Sequence, residues 1–139
     1  MDYETYRKEY FTNPAPQPRF GFAGLHGLTL FFEDYAPAID FYQRVLGPPA
    51  YVEGKYTRGW QIGDTWLTLL KGQAGNPHNV EVMLVMQTPS EVERLYAAFI
   101  EAGGVGDAPT EQLMYTPVYS CSVTDPFGTN IMICCPGAV

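Results

Sequence analysis

The stretch from residue 25 to residue 47 changes from a two-residue hydrophobic period to a helical one. Its first part alternates between an apolar set, Leu28, Leu30 and Phe32, and a mixed set, Gly27, Thr29 and Phe31. This alternation predicts a strand with two different faces. After Asp34, a favourable helix N-cap, apolar residues recur at helical spacing up to Gly47. The stretch therefore predicts a strand that leads directly into a helix packed on one side.

The second half of the chain repeats this plan. A strand over 80–86 precedes Thr88, Pro89 and Glu91, which form the signature of a capping box, and the helix that follows ends at Gly103. Further strands are predicted after each helix: 50–53, 58–62 and 65–70 after the first, and 112–115, 119–123 and 130–134 after the second. The sequence therefore predicts a βαβββ unit that occurs twice.

An aromatic segment precedes the first unit. Tyr3, Tyr6, Tyr10 and Phe11 lie on one side of a predicted helix over 2–11, which is too short to be stable in water unless it docks. A proline-rich connector follows it. We expect a structural docking element, with a lid or wall of a binding site as the alternative. The chain thus divides into residues 1–23 and a single domain over 24–139, with modules at 24–71 and 79–135.

Composition and charge limit the possible partners. The 139 residues are 46% hydrophobic and 17% charged, which is typical of a globular domain. The net charge of −7 and the scattered basic residues argue against nucleic acid or an anionic membrane as the main partner. We find no apolar run of membrane-spanning length and no signal-peptide core at the start, so we predict a cytoplasmic protein.

The cysteines do not suggest a disulfide framework. There are three of them, Cys121, Cys134 and Cys135, and no CxxC spacing accompanies them. Buried cysteine usually acts as a small apolar side chain. We therefore expect reduced thiols that fill the core.

Three segments resemble the vicinal oxygen chelate superfamily, which includes glyoxalase I, the bleomycin and fosfomycin resistance proteins and the extradiol dioxygenases. They are FFEDYAPAIDFYQRVLG at 31–47, TPSEVERLYAAFIEAGG at 88–104 and VTDPFGTNIMI at 123–133. The resemblance covers about residues 24–135. It implies an α+β fold in which two βαβββ modules form curled mixed sheets around a shared pocket, with helices on the outer faces. It also implies a homodimer, for which the aromatic segment would be a docking element.

The resemblance implies metal-ligand positions that this chain does not fill. Family enzymes hold a divalent metal with His at the head of the first strand, His or Glu in the matching strand of the other module, and Glu in the last strand. Counting from the motifs, these positions are Gly27, Glu81 and Met132. His26 is one residue away and would face the other side of a regular strand. We expect no metal cofactor; if a distorted divalent-metal site exists, His26 and Glu81 would form it.

The remaining expectation is a pocket for a small molecule. We predict lining by Thr29, Phe31, Trp60, Asn130 and Met132, with Glu81 and Tyr119 as candidate acid-base residues. One hypothesis is a metal-independent protein that binds an apolar or aromatic compound, similar to bleomycin resistance proteins. The alternative is a lyase, isomerase or dioxygenase that uses Glu81, with or without a metal. Whether the protein is an enzyme stays open at this stage.

Overall fold

After a short N-terminal helix, the chain forms the same βαβββ succession twice, as the sequence predicts. The computed structural model describes residues 1–20 and 22–137. The N-terminal helix is α1 (Tyr3–Tyr10), and the first module contains β1 (Gly27–Phe32), α2 (Tyr35–Leu46), β2 (Tyr51–Glu53), β3 (Thr57–Ile62) and β4 (Thr65–Lys71). The second module contains β5 (Glu81–Val85), α3 (Pro89–Glu101), β6 (Thr110–Met114), β7 (Thr116–Thr124) and β8 (Asn130–Pro136).

Each module forms one mixed four-stranded sheet. The strand orders are β1-β4-β3-β2 and β5-β8-β7-β6, with a parallel pair at β1 and β4 and at β5 and β8. Gly27 lies opposite Trp66 in the first sheet, and Glu81 lies opposite Asn130 in the second. Gly27 and Glu81 therefore occupy equivalent positions in the two modules.

One face of each sheet packs on the helices and the other, called here the open face, does not. Alternate strand residues such as Leu30, Phe32, Val82 and Leu84 belong to the core that α2 and α3 complete. This arrangement follows from the two-residue period of the strands, because successive side chains point to opposite sides. The open faces carry exposed apolar side chains, namely Phe31, Met83 and Val85.

A single core joins the two modules. The ring centroids of Phe41 and Phe99 are 6.0 Å apart, and those of Phe32 and Phe127 are 5.8 Å apart. The hydroxyl of Tyr42 on α2 donates a hydrogen bond of 2.7 Å to the Asp125 carboxylate in the β7–β8 turn. Burial, followed by the charge of Asp125, raises the pKa of Tyr42 well above its usual range. The modules are thus held together by aromatic packing and a buried hydrogen bond.

The Asp125 carboxylate also organises its own turn. It accepts the backbone N–H groups of Phe127, at 2.9 Å, and Thr129, at 2.8 Å. Asp125 is 4% exposed, so these bonds form in a nearly dry environment. The predicted Asp-Pro-Phe-Gly turn is therefore part of the contact between modules as well as a strand connection.

The helix caps differ in part from the prediction. Thr88 caps α3 by accepting the N–H of Glu91, but the Glu91 carboxylate pairs with Arg94 instead of completing the capping box. Asp34 precedes α2 without a side-chain cap. Its carboxylate accepts from the amide of Asn76, whose Oδ1 accepts the Asp34 N–H. Asp34 therefore anchors the loop between the modules rather than the helix.

The N-terminal helix forms as predicted and contacts the second module. Asp2 caps it by accepting the Thr5 N–H at 2.9 Å. The Tyr115 N–H donates to the Tyr6 hydroxyl at 3.4 Å, and the ring of Phe11 packs edge-on against Tyr115 at 6.4 Å. No residue of α1 is buried. Within the described part of the chain, no helix is long and apolar enough to cross a membrane.

Candidate functional site

The edge strands β1 and β5 of the two sheets line a common cleft. A cavity of about 400 Å³ lies between them. Its lining residues are Leu25, Gly27, Leu28, Ile62, Thr65, Trp66, Leu67, Glu81, Val82, Met83 and Leu84. The lining is mostly apolar, and Glu81 is the one carboxylate in it. Because β1 and β5 are equivalent strands, the cleft lies where the two modules meet.

The open face of the first sheet adds an aromatic wall. A cavity of about 420 Å³ there is lined by His26, Gly27, Leu28, Thr29, Tyr51, Trp66 and Thr68. The rings of Tyr51 and Trp66 are 6.4 Å apart at 74°. A Cβ on Gly59 would lie 3.3 Å from Tyr51 and 3.5 Å from Trp66, so the missing side chain lets both rings lie close to the sheet. This surface suits a flat ring.

Two hydroxyls accompany the aromatic wall. Thr29 on β1 lies in register with Thr68 on β4, and both line the same cavity. Threonine hydroxyls donate and accept hydrogen bonds, so they can bind a carbonyl, amine or hydroxyl at the edge of a ring. The first open face therefore combines apolar contact with a few polar groups, as small-molecule sites do.

The open face of the second sheet is more polar. A cavity of about 450 Å³ is lined by Asp107, Ala108, Thr110, Gln112, Leu113, Met114, Ser120, Cys121, Ser122 and Met132. Met132 lies between Met83 and Ser122 in the strand register. The Thr124 hydroxyl donates to the Asn130 amide oxygen at 3.1 Å. Sulfur, hydroxyl and amide groups on this face can contact a ligand that extends from the cleft.

A catalytic metal does not fit the donor set. A Cβ on Gly27, the position of the first family ligand, would lie 2.2 Å from the Trp66 carbonyl oxygen, because β1 and β4 approach closely there. Any ligating side chain at this position would need the strands to separate. Met132 is a poor ligand for hard or borderline metals. Among residues 1–20 and 22–137, no group of three His, Cys, Asp or Glu side chains lies together.

Five of the predicted site residues lie on the open faces. Thr29 and Phe31 are on the first sheet, and Glu81, Asn130 and Met132 are on the second. Phe31 also lines a separate cavity of about 430 Å³ beside the loop between the modules. Glu81 is exposed and forms no salt bridge with any described residue. The binding and catalytic roles of these residues stay predictions.

The predicted placement of Trp60 is wrong. This side chain is 3% exposed and belongs to the core, and its indole N–H donates to the Gly47 carbonyl at 2.8 Å. The reason is strand parity, because Trp60 lies in register with the core residue Leu67 and shares its face. Trp66 is the tryptophan that lines the cavity.

The predicted pairing of Glu81 with Tyr119 is also wrong. The Tyr119 hydroxyl donates to the Glu93 carboxylate on α3 at 2.9 Å, so Tyr119 faces the helix and Glu81 does not. This hydrogen bond raises the pKa of Tyr119. Tyr119 lies in register with the core residue Cys135, which fixes its face. An acid-base pair of Glu81 and Tyr119 is therefore not formed.

His26 lies immediately before β1, so the alternation of the strand does not determine its direction. Its carbonyl oxygen accepts a hydrogen bond from the Trp66 N–H at 2.9 Å. The residue is exposed and lines the cavity on the open face of the first sheet. We expected it to face away from the pocket. Among the described residues, His26 does not belong to a group of three or more His, Cys, Asp or Glu side chains that could hold a metal ion.

Sequence reasoning missed Tyr51, Trp66 and Thr68. The signal was present, because alternation along 65–70 places Trp66 and Thr68 on the same face. Their parallel register with Gly27 and Thr29 then puts that face beside the cleft.

The cysteines are buried and unpaired, as expected. Burial raises the pKa of the Cys121 thiol to about 11 and also raises that of Cys134. Both thiols are therefore protonated at neutral pH. Burial among apolar side chains agrees with the expected role of these cysteines as small core residues.

The family model for the glyoxalase/bleomycin resistance protein/dioxygenase superfamily matches residues 24–133. The chain belongs to this superfamily. The match spans both modules and begins where the N-terminal connector ends, which agrees with the resemblance found in the sequence. No curated protein matches the sequence significantly.

Several solved structures share the fold. A glyoxalase/bleomycin resistance protein from Albidiferax ferrireducens is 20% identical with a TM-score of 0.66, and the match covers 78% of this chain and 96% of that one. Lactoylglutathione lyase from Agrobacterium tumefaciens is 16% identical with a TM-score of 0.62, covering 82% and 94%. A virulence protein from Salmonella typhimurium is 20% identical with a TM-score of 0.64, covering 84% and 99%. At these identities the likeness concerns the fold alone.

Proposed function

We propose that this superfamily member binds a small apolar or aromatic molecule in the cleft between its sheets and does so without a catalytic metal. The observation that carries the proposal is the contact at Gly27, where a side chain would lie 2.2 Å from the Trp66 carbonyl oxygen. The family's first ligand position is therefore closed by the backbone. Besides the separated side chains of His26, Glu81 and Asp107, the cavities are lined mainly by aliphatic, aromatic, methionine and hydroxyl groups, which suit organic ligands better than divalent cations.

The lining favours a planar ligand with one or two polar substituents. Stacking or edge contact with Trp66 and Tyr51 would bury the ring, and aromatic pairs of this kind contribute about 1 kcal/mol beyond the area they bury. Thr29 and Thr68 would bind a polar substituent, and Glu81 would favour a donor group at the cleft. Such a protein would sequester or carry its ligand.

The two tryptophans provide the test. We expect the weakly fluorescent compounds quinoline and nitrobenzene to quench the fluorescence of the protein through Trp66, because Trp66 lines the cavity whereas Trp60 is buried in the core. The Trp60→Phe variant should keep the quenching and the Trp66→Phe variant should lose it. The same compounds should raise the melting temperature, since a ligand that binds only the folded state stabilises it.

Divalent metals serve as the comparison in this experiment. Zn²⁺, Ni²⁺, Mn²⁺ and Fe²⁺ should leave the melting temperature unchanged. Stabilisation by a metal without stabilisation by any aromatic compound would contradict the proposal. Quenching that persists in Trp66→Phe would show that the ligand binds elsewhere.

The alternative is a lyase, isomerase or dioxygenase that uses Glu81 in the cleft. What favours it is the position of this exposed carboxylate beside Asn130, without a salt-bridge partner among the described residues. A carboxylate placed there can accept a proton from a bound compound. Under this alternative, Glu81→Gln should lower turnover at least about 100-fold while binding of the compound stays within a few-fold. Equal turnover by Glu81→Gln and the unsubstituted protein would show that Glu81 takes no part in the reaction.

We also infer a cytoplasmic homodimer with no nucleic-acid or membrane partner. Three buried, unpaired cysteines support a reducing compartment. The net charge of −7 disfavours binding to phosphate backbones and anionic lipids. The exposed aromatic residues at the N-terminus and the open faces support a second copy as partner.

A further inference from the structure

The cavity on the open face of the second sheet, of about 450 Å³, continues the cleft but differs from it in chemistry. We call it the second-sheet cavity. Met83 lines the cleft, Met132 lines the second-sheet cavity, and the two residues lie in register on neighbouring strands. Ser122 pairs with Met132 on the next strand, so two strand spacings place it about 10 Å from Met83. A group attached to a ring in the cleft can therefore reach this cavity.

The floor of the second-sheet cavity is sheltered although it belongs to an open face. Val118, Ser120 and Ser122 alternate along β7 on the side of the sheet that carries Met132. Ser120 is 6% exposed, and Val118 is 2% exposed although it lies outside the core cluster. The second sheet is therefore concave here, and concave surfaces are the usual sites of small-molecule binding.

A bulge beside β7 forms the rim of the cavity. Val105 pairs with Thr124 and Thr110 pairs with Ser120. Between these two pairs, β7 contributes residues 121–123, whereas the segment opposite contributes one residue more. An extra residue of this kind bends the strand and redirects its side chains, and such bulges are frequent beside binding sites.

The bulge is fixed from both sides of the sheet. A Cβ on Gly106 would lie 2.2 Å from the Ser122 carbonyl oxygen, so the segment contacts β7 more closely than a side chain would permit. From the side of α3, the Tyr96 hydroxyl donates to the Gly106 carbonyl at 2.9 Å. The next residues, Asp107 and Ala108, line the second-sheet cavity. The position of the Asp107 carboxylate at the rim is thus determined by the fold.

The polar side chains of the cavity are of the kinds that bind hydroxyl groups. Five of them line it, namely Asp107, Thr110, Gln112, Ser120 and Ser122. The Gln112 amide donates to the Thr110 hydroxyl at 2.9 Å, which orients both groups. Hydroxyl and amide groups donate and accept hydrogen bonds, whereas a carboxylate accepts only. This set is complementary to a ligand with several neighbouring hydroxyls, since each of these also donates and accepts.

The charge of the lining disfavours anionic ligands. Among the residues that the structure describes, no Lys or Arg lines the second-sheet cavity or the cleft, whereas Asp107 lines the first and Glu81 the second. Neither carboxylate forms a salt bridge with a described residue. An anion would approach two carboxylates that no basic side chain neutralises, on a chain of net charge −7. Hydrogen bonds to uncharged groups are therefore the main polar contacts available to a ligand.

We infer that the second-sheet cavity binds a neutral, hydroxyl-rich group such as a sugar, so that the ligand of this protein is an aromatic glycoside. This inference rests on the proposed function, because the aromatic ring of the glycoside lies in the cleft beside Trp66. The sugar hydroxyls donate to Asp107 and exchange hydrogen bonds with Ser122 and Gln112. The C–H groups of the sugar pack on Met132, whose flexible thioether adapts to an irregular surface.

Three nitrophenyl compounds test the two parts of the ligand separately. The first, para-nitroanisole, carries a methyl group where para-nitrophenyl glucoside carries a sugar, and para-nitrophenyl glucuronide adds a carboxylate to that sugar. Calorimetric titration of the full-length protein measures the dissociation constants, and quenching through Trp66 reports the ring. We expect the glucoside to bind at least about 10-fold more tightly than nitroanisole, since each added hydrogen bond contributes several-fold. The glucuronide should bind at least about 10-fold more weakly than the glucoside.

The variant Ser122→Ala tests the contact with the sugar, and Ser90→Ala is its matched control. Both serines are exposed, but Ser90 lies on α3 and outside the cavity lining. Ser122→Ala should weaken binding of the glucoside at least about 3-fold and leave binding of nitroanisole within about 1.5-fold. Ser90→Ala should change neither dissociation constant by more than about 1.5-fold.

The variant Asp107→Asn tests the rejection of anions. It should tighten binding of the glucuronide at least about 5-fold, because it removes the carboxylate nearest to the sugar. Glu101→Gln removes one negative charge from an exposed position at the end of α3 and is the matched control, with an expected change below about 2-fold. Equal effects of the two variants would contradict the role of Asp107 and the selection of a neutral group.

Other outcomes would overturn the inference as a whole. Equal dissociation constants for the glucoside and nitroanisole would show that the sugar is not bound. An equal loss of both compounds in Ser122→Ala would show that Ser122 contacts the ring instead of the sugar. In either case, quenching by nitroanisole through Trp66 would still support the proposed function. The absence of quenching by every compound would contradict the ring site itself, so the two failures are distinguishable.

Discussion

Replacing Gly27 by histidine is expected to lower the free energy of unfolding by about 3 kcal/mol without creating a metal site. A Cβ at this position would lie 2.2 Å from the Trp66 carbonyl oxygen and 3.0 Å from its carbonyl carbon. These are backbone atoms of the neighbouring strand, so they cannot rotate away as a side chain would. The strands must separate, which weakens the β1–β4 pairing that begins at this residue pair. Urea denaturation measures the loss, and calorimetric titration with Zn²⁺ measures binding.

Thr29→His is the matched control for this prediction. Thr29 lies two residues further along the same strand and on the same open face, and it is exposed. The control should change the free energy of unfolding by no more than about 0.5 kcal/mol. If Gly27→His were as stable as the original protein and bound Zn²⁺ at micromolar concentration, the closed ligand position would be refuted. The proposal that the cleft binds its ligand without a catalytic metal would then also be contradicted.

Replacing Asp125 by alanine is expected to lower the free energy of unfolding by about 3–5 kcal/mol, because the substitution removes the acceptor of three hydrogen bonds at once. The Tyr42 hydroxyl and the backbone N–H groups of Phe127 and Thr129 all donate to this carboxylate. Asp125 is 4% exposed, so water cannot easily replace it. Because one of these bonds connects the modules, equilibrium urea unfolding should show a lower midpoint.

Tyr42→Phe separates the contact between modules from the turn. The substitution removes one hydrogen bond and keeps the ring, so we expect the free energy of unfolding to fall by about 1–2 kcal/mol. Burial raises the pKa of Tyr42 above that of an exposed tyrosine. The protonated hydroxyl therefore contributes fully to the free energy of unfolding below about pH 10, and this contribution is lost as the pH rises further. Above about pH 10, the free energy of unfolding should fall less steeply with pH in Tyr42→Phe than in the unsubstituted protein. Equal costs for Asp125→Ala and Tyr42→Phe would mean that the turn bonds contribute nothing.

The fold could be predicted from the sequence because its signals are local and repeated. The helix over 89–101 has a threonine cap, an N-terminal proline and a terminal glycine pair, and it forms where these signals place it. The strand predicted over 112–115 is displaced, since β6 begins two residues earlier and ends one residue earlier, at Thr110 and Met114, and its residues are mostly exposed. A strand whose faces are both exposed has a weak hydrophobic alternation, and its ends are then difficult to find.

The site was predicted less completely because it depends on register between strands. Glu81 and Gly27 were counted correctly as equivalent positions, since each lies at a fixed distance from a helix motif. Trp60 and Tyr119 were assigned to the wrong face, because a single residue of error in a strand reverses the side chain. The contact between Gly27 and the Trp66 carbonyl involves residues in different strands, and no local pattern reveals it.

The core shared by the modules also affects how the chain folds during synthesis. Phe41 and Tyr42 are nearly completely buried, yet they pack against Phe99 and Phe127, and Tyr42 bonds to Asp125 near the C-terminus. The aromatic surface of the first module is therefore covered only after the β7–β8 turn has been synthesised. Until then the first module cannot complete its core, so we expect folding of the domain to become cooperative only once that turn is available.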